Sequence, residues 1–276
     1  MPYFHELTKS TKDIVKHTNF DMSNKLVYHV QGGNMHITTT KAIGRGDSSL
    51  CAAFHYNGMH FQNLELTQGG KVKGTARFPM VGALLKVKSE NWANPKFDRL
   101  PSMEVEYTHG AYAVTADVDF GGKLEVAIVT QLGPLSLGAK GAMSTTASSF
   151  KAKNVALSYS TGGLNMTMIT QGYSGAKMYV DHTAGGISVA GIVDSGKHFK
   201  LGVNTEVNGG DVSIRTGSNG SAEIAYTTKF TNDSLLHLKT DFNIGSLSLG
   251  SIGLGLTVGG PPVAAGGSAK AGGWLS

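Results

Sequence analysis

The chain has 276 residues, with 24 Lys and Arg against 19 Asp and Glu for a net charge of +5, and 38 glycines against seven prolines. That length holds one large domain or two small ones, and the glycine-to-proline balance excludes collagen and Pro-rich tails. The only cysteine, Cys51, excludes an internal disulfide and a metal site built on several thiolates, while the mild, dispersed positive charge argues against nucleic-acid binding.

No run of about 18 apolar residues exists, so no transmembrane helix is expected. The opening Met1-Pro2-Tyr3-Phe4-His5-Glu6 lacks the apolar centre of a secretory signal. Residues Phe4 to His17 instead read as a short amphipathic helix. Phe4, Leu7, Thr11, Ile14 and Val15 share one face, and Lys9, Lys12, Asp13 and Lys16 point elsewhere.

After Phe20 the period changes to two. In Lys71–Phe78 polar residues alternate with small or apolar ones. Tyr112-Val114-Ala116-Val118-Phe120 alternates with Ala113-Thr115-Asp117-Asp119, and Ala222-Ile224-Tyr226-Thr228-Phe230 with Glu223-Ala225-Thr227-Lys229. Gly and Asn punctuate the pattern at Gly32-Gly33, Asn57-Gly58, Gly69-Gly70, Gly121-Gly122, Gly162-Gly163 and Asn208-Gly209-Gly210, where hairpins require positive φ. Pro79, Pro95, Pro101 and Pro134 fall at strand edges. The spacing predicts nineteen strands, beginning near Ser23, Gly33, Ser48, Met59, Gly70, Met80, Ser102, Ala111, Gly122, Leu135, Phe150, Gly163, Gly175, Gly185, Lys197, Gly210, Ser221, Ser234 and Gly245. The longest turn is Glu90 to Pro101. Three segments result: 1–20 as an N-terminal amphipathic helical segment, 21–258 as the strand region, and 259–276 as a flexible Gly/Ala-rich tail.

A single soluble sheet of that many strands would expose long edges, whereas a closed barrel has none. One parity of the strands carries Lys, Asp, Glu, Thr and Ser. The other carries Val, Ile, Leu, Ala, Phe, Tyr and Gly with essentially no charge, as a lipid-facing surface requires, because a midplane Lys or Arg costs about 2–4 kcal/mol there. The fold class expected is therefore an all-β membrane protein, a 19-stranded transmembrane β-barrel meander with a short N-terminal amphipathic α-helix. Its lumen is wide and wet. A Gly-rich soluble β protein or adhesin is the reading that a detergent-independent chain would favour.

The last strand reads Ser251-Ile252-Gly253-Leu254-Gly255-Leu256-Thr257-Val258. Its polar residue, its glycine two positions on, and its hydrophobic residues three and five beyond that (Ser251, Gly253, Leu256, Val258) resemble the β-signal of mitochondrial outer-membrane barrels. The opening Tyr3-Phe4-His5-Glu6-Leu7-Thr8-Lys9-Ser10-Thr11-Lys12-Asp13-Ile14-Val15 is similar to the start of the mitochondrial porin (voltage-dependent anion channel) family. Helix, strand count and closing strand together resemble that family from Met1 to Val258, as a divergent member recognisable in the middle by pattern only. Many animal members carry a lipid-facing glutamate on the fourth strand. Here Glu65 shares parity with Phe61 and Asn63, opposite Leu64 and Leu66, which places it in the lumen. The tail after Val258 is also foreign to the family.

For a pore the chemistry is electrostatic: lumenal charges decide which ions are enriched. Strand parity places Lys25, Lys71, Lys73, Arg77, Lys86, Lys88, Lys200, Arg215, Lys229 and Lys239 in the lumen. Lys9, Lys12 and Lys16 join them if the helix lies inside, as the resemblance implies, rather than at the membrane interface. Glu65, Glu104, Glu106, Asp117, Asp119, Glu125, Asp181, Asp211, Glu223 and Asp241 stand against them. Bases bunch on the fifth and sixth strands and acids on the seventh to ninth, which predicts a positive and a negative wall with a weak anion preference in sum.

Enzymatic motifs fail. Gly172–Lys177 lacks phosphate-loop spacing and a following helix, Gly46-Asp47-Ser48 lies in a turn, and the ten histidines lack the i, i+4 spacing of a helical metal site. No enzyme activity, cofactor or metal is expected. The resemblance implies a mitochondrial outer-membrane diffusion channel for small hydrophilic metabolites and ions. Its partners would be membrane lipids, small anionic metabolites such as nucleotides and phosphate, and the barrel-insertion machinery, with self-association left open. The alternative is the protein-conducting channel of the outer-membrane translocase, similar in fold. That family typically has a longer segment before the barrel than the roughly twenty residues here.

Overall fold

The computed structural model describes residues 1–15, 25–32, 35–42, 48–56, 58–67, 72–80, 82–90, 102–119, 121–144, 149–170, 172, 175–196, 198–246 and 248–258. The predicted loop at 91–101 and the Gly/Ala-rich segment from 259 lie outside these residues. One helix, α1 (Lys9–Val15), precedes nineteen strands among the described residues: β1 (Lys25–Gly32), β2 (Met35–Ala42), β3 (Ser49–Tyr56), β4 (Met59–Thr67), β5 (Val72–Met80), β6 (Ala83–Glu90), β7 (Ser102–His109), β8 (Tyr112–Asp119), β9 (Lys123–Leu132) and β10 (Leu135–Ser144). The second half continues as β11 (Ser149–Thr161), β12 (Leu164–Thr170), β13 (Ala176–Ala184), β14 (Ile187–Asp194), β15 (Phe199–Val207), β16 (Gly210–Gly217), β17 (Ser221–Thr231), β18 (Ser234–Asn243) and β19 (Ser248–Val258).

Each strand pairs antiparallel with the next, and the sheet closes on itself where β1 runs parallel to β19, with Lys25 opposite Gly255 and Tyr28 opposite Val258. An odd strand count forces that one parallel joint. The all-β fold with one short helix is the architecture expected, and every strand starts within about three residues of its anticipated position. Tight turns hold the meander. At the β15–β16 turn Asn208 and Gly209 both adopt left-handed backbone (φ 52 and 75), the pair a two-residue hairpin needs to match strand twist.

Register separates the two faces. Leu26, Tyr28, Val30, Leu50, Leu66, Ile128, Leu137, Leu157, Val189, Leu201, Ile214, Ile252 and Leu254 are exposed apolar side chains on the outer parity. The one charge on that parity among the described strand residues is Lys41, next to the end of β2. Among the described residues no helix is long and apolar enough to cross a membrane.

Two departures have local causes. The helix begins at Lys9, not at Phe4. Tyr3 to Lys9 is instead a pair of tight turns, with the backbone N–H groups of Glu6 and Lys9 donating to the carbonyls of Tyr3 and Glu6, both at 2.9 Å. The side-chain carboxylate of Glu6 accepts from the Tyr3 N–H, which favours the turn over a longer helix. His17 lies outside the described residues. In β4 the register slips between Gln62 and Glu65, and the paired slip on β3 falls between Ala52 and Phe54. The extra residue of this bulge moves Phe61 to the outer face, where it stacks on Phe54 at 4.7 Å between ring centroids. Glu65 remains on the lumenal parity opposite Cys51 and Lys73, but it no longer shares a face with Phe61.

Candidate functional site, the lumen and its docked N-terminal segment

The apolar face of the N-terminal segment lies against the inner wall of the barrel. Phe4 packs with Ala127, Val129 and Ala156, joined by Leu7 and Ile169. Further along, Ile14 and Val15 pack on Ala190 and Ile192. This is the lumenal placement, and the interfacial alternative does not hold. Two glycines make the approach possible. A Cβ at Gly138 would come within 2.9 Å of the Phe4 ring, and one at Gly202 within 2.8 Å of the Ile14 carbonyl oxygen.

Polar contacts fix the segment's register. The Asp181 carboxylate accepts from the Thr11 hydroxyl at 2.5 Å, the Ser10 hydroxyl at 2.6 Å and the Asn165 amide at 2.8 Å. The Thr167 hydroxyl donates to the Leu7 carbonyl at 2.9 Å, and Arg215 Nε donates to the Ile14 carbonyl at 3.0 Å. Asp181 is almost fully buried, and these three donors satisfy its carboxylate oxygens. At the start of the segment, burial and then the nearby Glu106 carboxylate raise the Tyr3 phenol above its ordinary value, which keeps it neutral.

The lumenal charges gather into three ionic clusters. Lys86 bridges Glu104 (3.1 Å) and Glu106, and Lys88 reaches Glu104 at 2.5 Å. Glu125 binds Lys123 at 3.0 Å and both Lys140 and Lys153 at 2.6 Å. Glu223 binds Arg215 at 2.9 Å and Lys239 at 2.8 Å. A niche of about 390 Å³ opens between Phe4 and His5 and the inner wall, and Arg77, Lys86, Lys88, Glu104, Glu125 and Lys140 help line it. Arg77 has no carboxylate partner among the described residues, and its lumenal neighbours in register are His60 and Lys86.

Two separate charged walls are therefore not what forms. Strands β6 and β7 are neighbours in register, Lys86 opposite Glu104, so the basic and acidic groups interlock into one patch. Of the thirteen cations singled out above, Arg77, Lys86, Lys88, Lys200, Arg215, Lys229 and Lys239 stand on the lumenal parity of described strands. Lys200 and Lys229 are exposed, while Lys86, Arg215 and Lys239 are buried. Lys9 is exposed on the docked helix, and Lys12 Nζ lies 5.5 Å from the Tyr179 ring centroid. Lys16 and Lys71 lie outside the described residues, as do the side chains of Lys25 and Lys73. In the closing strand Ser251 faces inward, its N–H and hydroxyl donating to Asp241 at 2.7 and 3.0 Å. Gly253 stands opposite Lys239, and Leu256 and Val258 take the outer parity.

Sequence reasoning missed the lysines around Glu125. Lys123 shares strand and parity with Glu125, a signal that was there to read. Lys153 sits in a bulge of β11, where parity gives no guide. The anchoring role of Asp181 was equally hidden, because its partners lie about 170 residues away.

A closed barrel with an all but uncharged exterior and a charged, water-accessible interior is a transmembrane pore. Residues 1–255 match the eukaryotic porin family, and the chain belongs to that family. It is accordingly an outer-membrane-type β-barrel that passes small solutes, a channel rather than an enzyme. No curated protein matches the chain. Among solved structures it is similar to the outer-membrane expressed OmpT of Vibrio cholerae, at 9% identity and TM-score 0.34, covering 86% of this chain and 96% of that one. It is also similar to the anion-selective porin from Comamonas acidovorans, at 10% identity and TM-score 0.38, covering 83% and 93%. Likenesses this distant carry no functional argument.

Proposed function

We propose that this porin is a mitochondrial outer-membrane channel for the passive diffusion of small hydrophilic metabolites and ions, with a weak preference for anions such as phosphate and nucleotides. Membership of the eukaryotic porin family supports the mitochondrial location. The observation that carries the anion preference is the make-up of the three ionic clusters, in which seven cations surround four carboxylates. The cluster of Lys86 and Lys88 with Glu104 and Glu106 is balanced, so the excess sits around Glu125 and Glu223, where a low-dielectric wall focuses its positive field into the lumen. Among the described strand residues the outer parity carries only Lys41, so the remaining strand charges face the lumen.

The test is single-channel recording of the purified protein in a planar bilayer across a KCl gradient. A reversal potential displaced toward the chloride equilibrium potential supports the reading. A cation-preferring pore that basic presequence peptides block would replace it with a protein-conducting channel.

A further inference from the structure

Four of the ten histidines face the lumen on four consecutive strands: His29 on β1, His36 on β2, His55 on β3 and His60 on β4. Each lies within three residues of the β1–β2 or β3–β4 turn, so all four stand at one mouth of the barrel. The His55 and His60 rings meet edge to face at 3.7 Å between centroids, and the His29 and His36 rings lie stacked at 5.5 Å. Register continues the row: His55 stands opposite His60, His60 opposite Arg77, and Arg77 opposite Lys86, a single rung across β3 to β6. Neighbouring strands are about 4.8 Å apart, so adjacent groups of the rung lie well inside the ~10 Å over which charges interact in 0.1 M salt.

The surroundings of the four imidazoles carry almost no negative charge. His29 faces Thr38, whose hydroxyl lies 2.8 Å from its Nδ1, and on β19 the lumenal group beside its strand is Thr257, opposite Val27. His36 faces Gln31 and Ala53, and Cys51 stands opposite Thr38. Across the niche from Arg77 lies His5 of the docked segment. Among the described strand residues of β1 to β5, Glu65 is the one carboxylate on the lumenal parity. It stands opposite Cys51 and Lys73, about 15 Å along β4 from His60. Lys25, at the start of β1, belongs to the other mouth. Imidazole is the side chain whose charge changes between pH 5 and 8, whereas ordinary carboxylates and lysines keep theirs across that span.

We propose that His29, His36, His55 and His60 are specificity-determining residues that make the anion preference of the channel rise in acid. Neutral, they leave this mouth with Arg77 and with Lys86, which Glu104 and Glu106 already neutralise. Protonated, they extend Arg77 into a cationic arc over β1 to β5 that draws chloride into the mouth and repels potassium. This role deepens the anion-preferring pore proposed above and rests on it.

The experiment is the reversal potential of the full-length protein in a neutral phosphatidylcholine bilayer, across a KCl gradient centred near about 0.1 M, at about pH 8 and about pH 5.5. In the unaltered chain the chloride-to-potassium permeability ratio should rise about twofold or more on acidification. The rise should shrink in about 1 M KCl, where the Debye length is only ~3 Å. A chain carrying H29Q, H36Q, H55Q and H60Q together should lose the rise, and H237Q, altered at the lumenal histidine of β18, should keep it. Heat-modified gel mobility confirms that each variant is folded. The reversal potential at pH 8 tests the anion preference itself and its displacement in acid tests the histidines, so the two can fail separately. A permeability ratio that stays constant with pH in the unaltered chain, or that rises as far in the fourfold variant, overturns the proposal.

Discussion

The Thr11 hydroxyl and the Asp181 carboxylate meet at 2.5 Å across 170 residues of sequence, joining the one helix to the wall of β13. Asp181→Ala removes the acceptor for Thr11, Ser10 and Asn165 together and leaves their donors facing a void. Docking of the N-terminal segment should weaken by about 1–3 kcal/mol. Hydrogen exchange should show residues 3–15 exchanging faster while strands β1 to β19 keep their protection. Unchanged exchange at the segment would show that the apolar contacts of Phe4, Ile14 and Val15 suffice.

Gly202→Val should have the same effect by a different route. The new side chain would drive into the Ile14 carbonyl, which is backbone and cannot rotate away. Gly191→Ala is the control on the lipid-facing parity of the adjacent strand, where the added Cβ meets a Leu201 methyl at 3.4 Å and the Lys200 carbonyl oxygen at 4.0 Å, both ordinary contacts. Limited proteolysis should cut within the first fifteen residues of the Gly202 variant and spare the control.

Lys86 and Arg77 face each other in register, yet their substitutions should separate stability from selectivity. Lys86→Met strands the buried Glu106 and deprives Glu104 of one of its two cations, a loss of about 3–5 kcal/mol that lowers the midpoint of urea unfolding from micelles. Arg77→Gln breaks no ion pair with a described residue. It should leave the unfolding midpoint in place and move the reversal potential away from chloride.

Glu65 faces the lumen opposite Cys51, not lipid. A water-soluble carbodiimide should therefore label it in the folded barrel, and an apolar carbodiimide delivered through the bilayer should not. Labelling of Glu65 by the apolar reagent alone would place it on the other face.

Leu256→Asn should slow insertion into isolated mitochondria without preventing refolding in detergent, if the closing strand is read as an insertion signal. Leu249→Asn, an exposed apolar position of β19 outside the signal, where Leu256 is half-buried, provides the comparison. Equal insertion of both variants would assign no special role to Leu256.

Strand number, closure and the face of most side chains were legible in the sequence because alternation is local: each residue's parity follows from its neighbours two positions away. What was not legible depended on register between strands. The bulge in β4 puts Phe61 and Glu65 on opposite faces, although counting by twos joins them. Lys153 reaches Glu125 only because a bulge turns it inward. The interlocking of Lys86 with Glu104 needed the pairing of β6 with β7, which merges what composition alone divides into two walls. The N-terminal segment was recognisable as amphipathic, but its resting place depended on Gly138 and Gly202, whose missing side chains carry no local signal.

Strands one and nineteen share only four aligned residue pairs among the described residues, Lys25–Tyr28 with Gly255–Val258, whereas most hairpin neighbours share seven or more. They are also the one adjacent pair with no turn to tether them. If the cylinder ever parts sideways into the bilayer, the split begins there, and both freed edges belong to the ends of the spanning region. The closing strand is thus also the latch, and without it the other eighteen would form an open ribbon with the first strand's outer edge unclaimed.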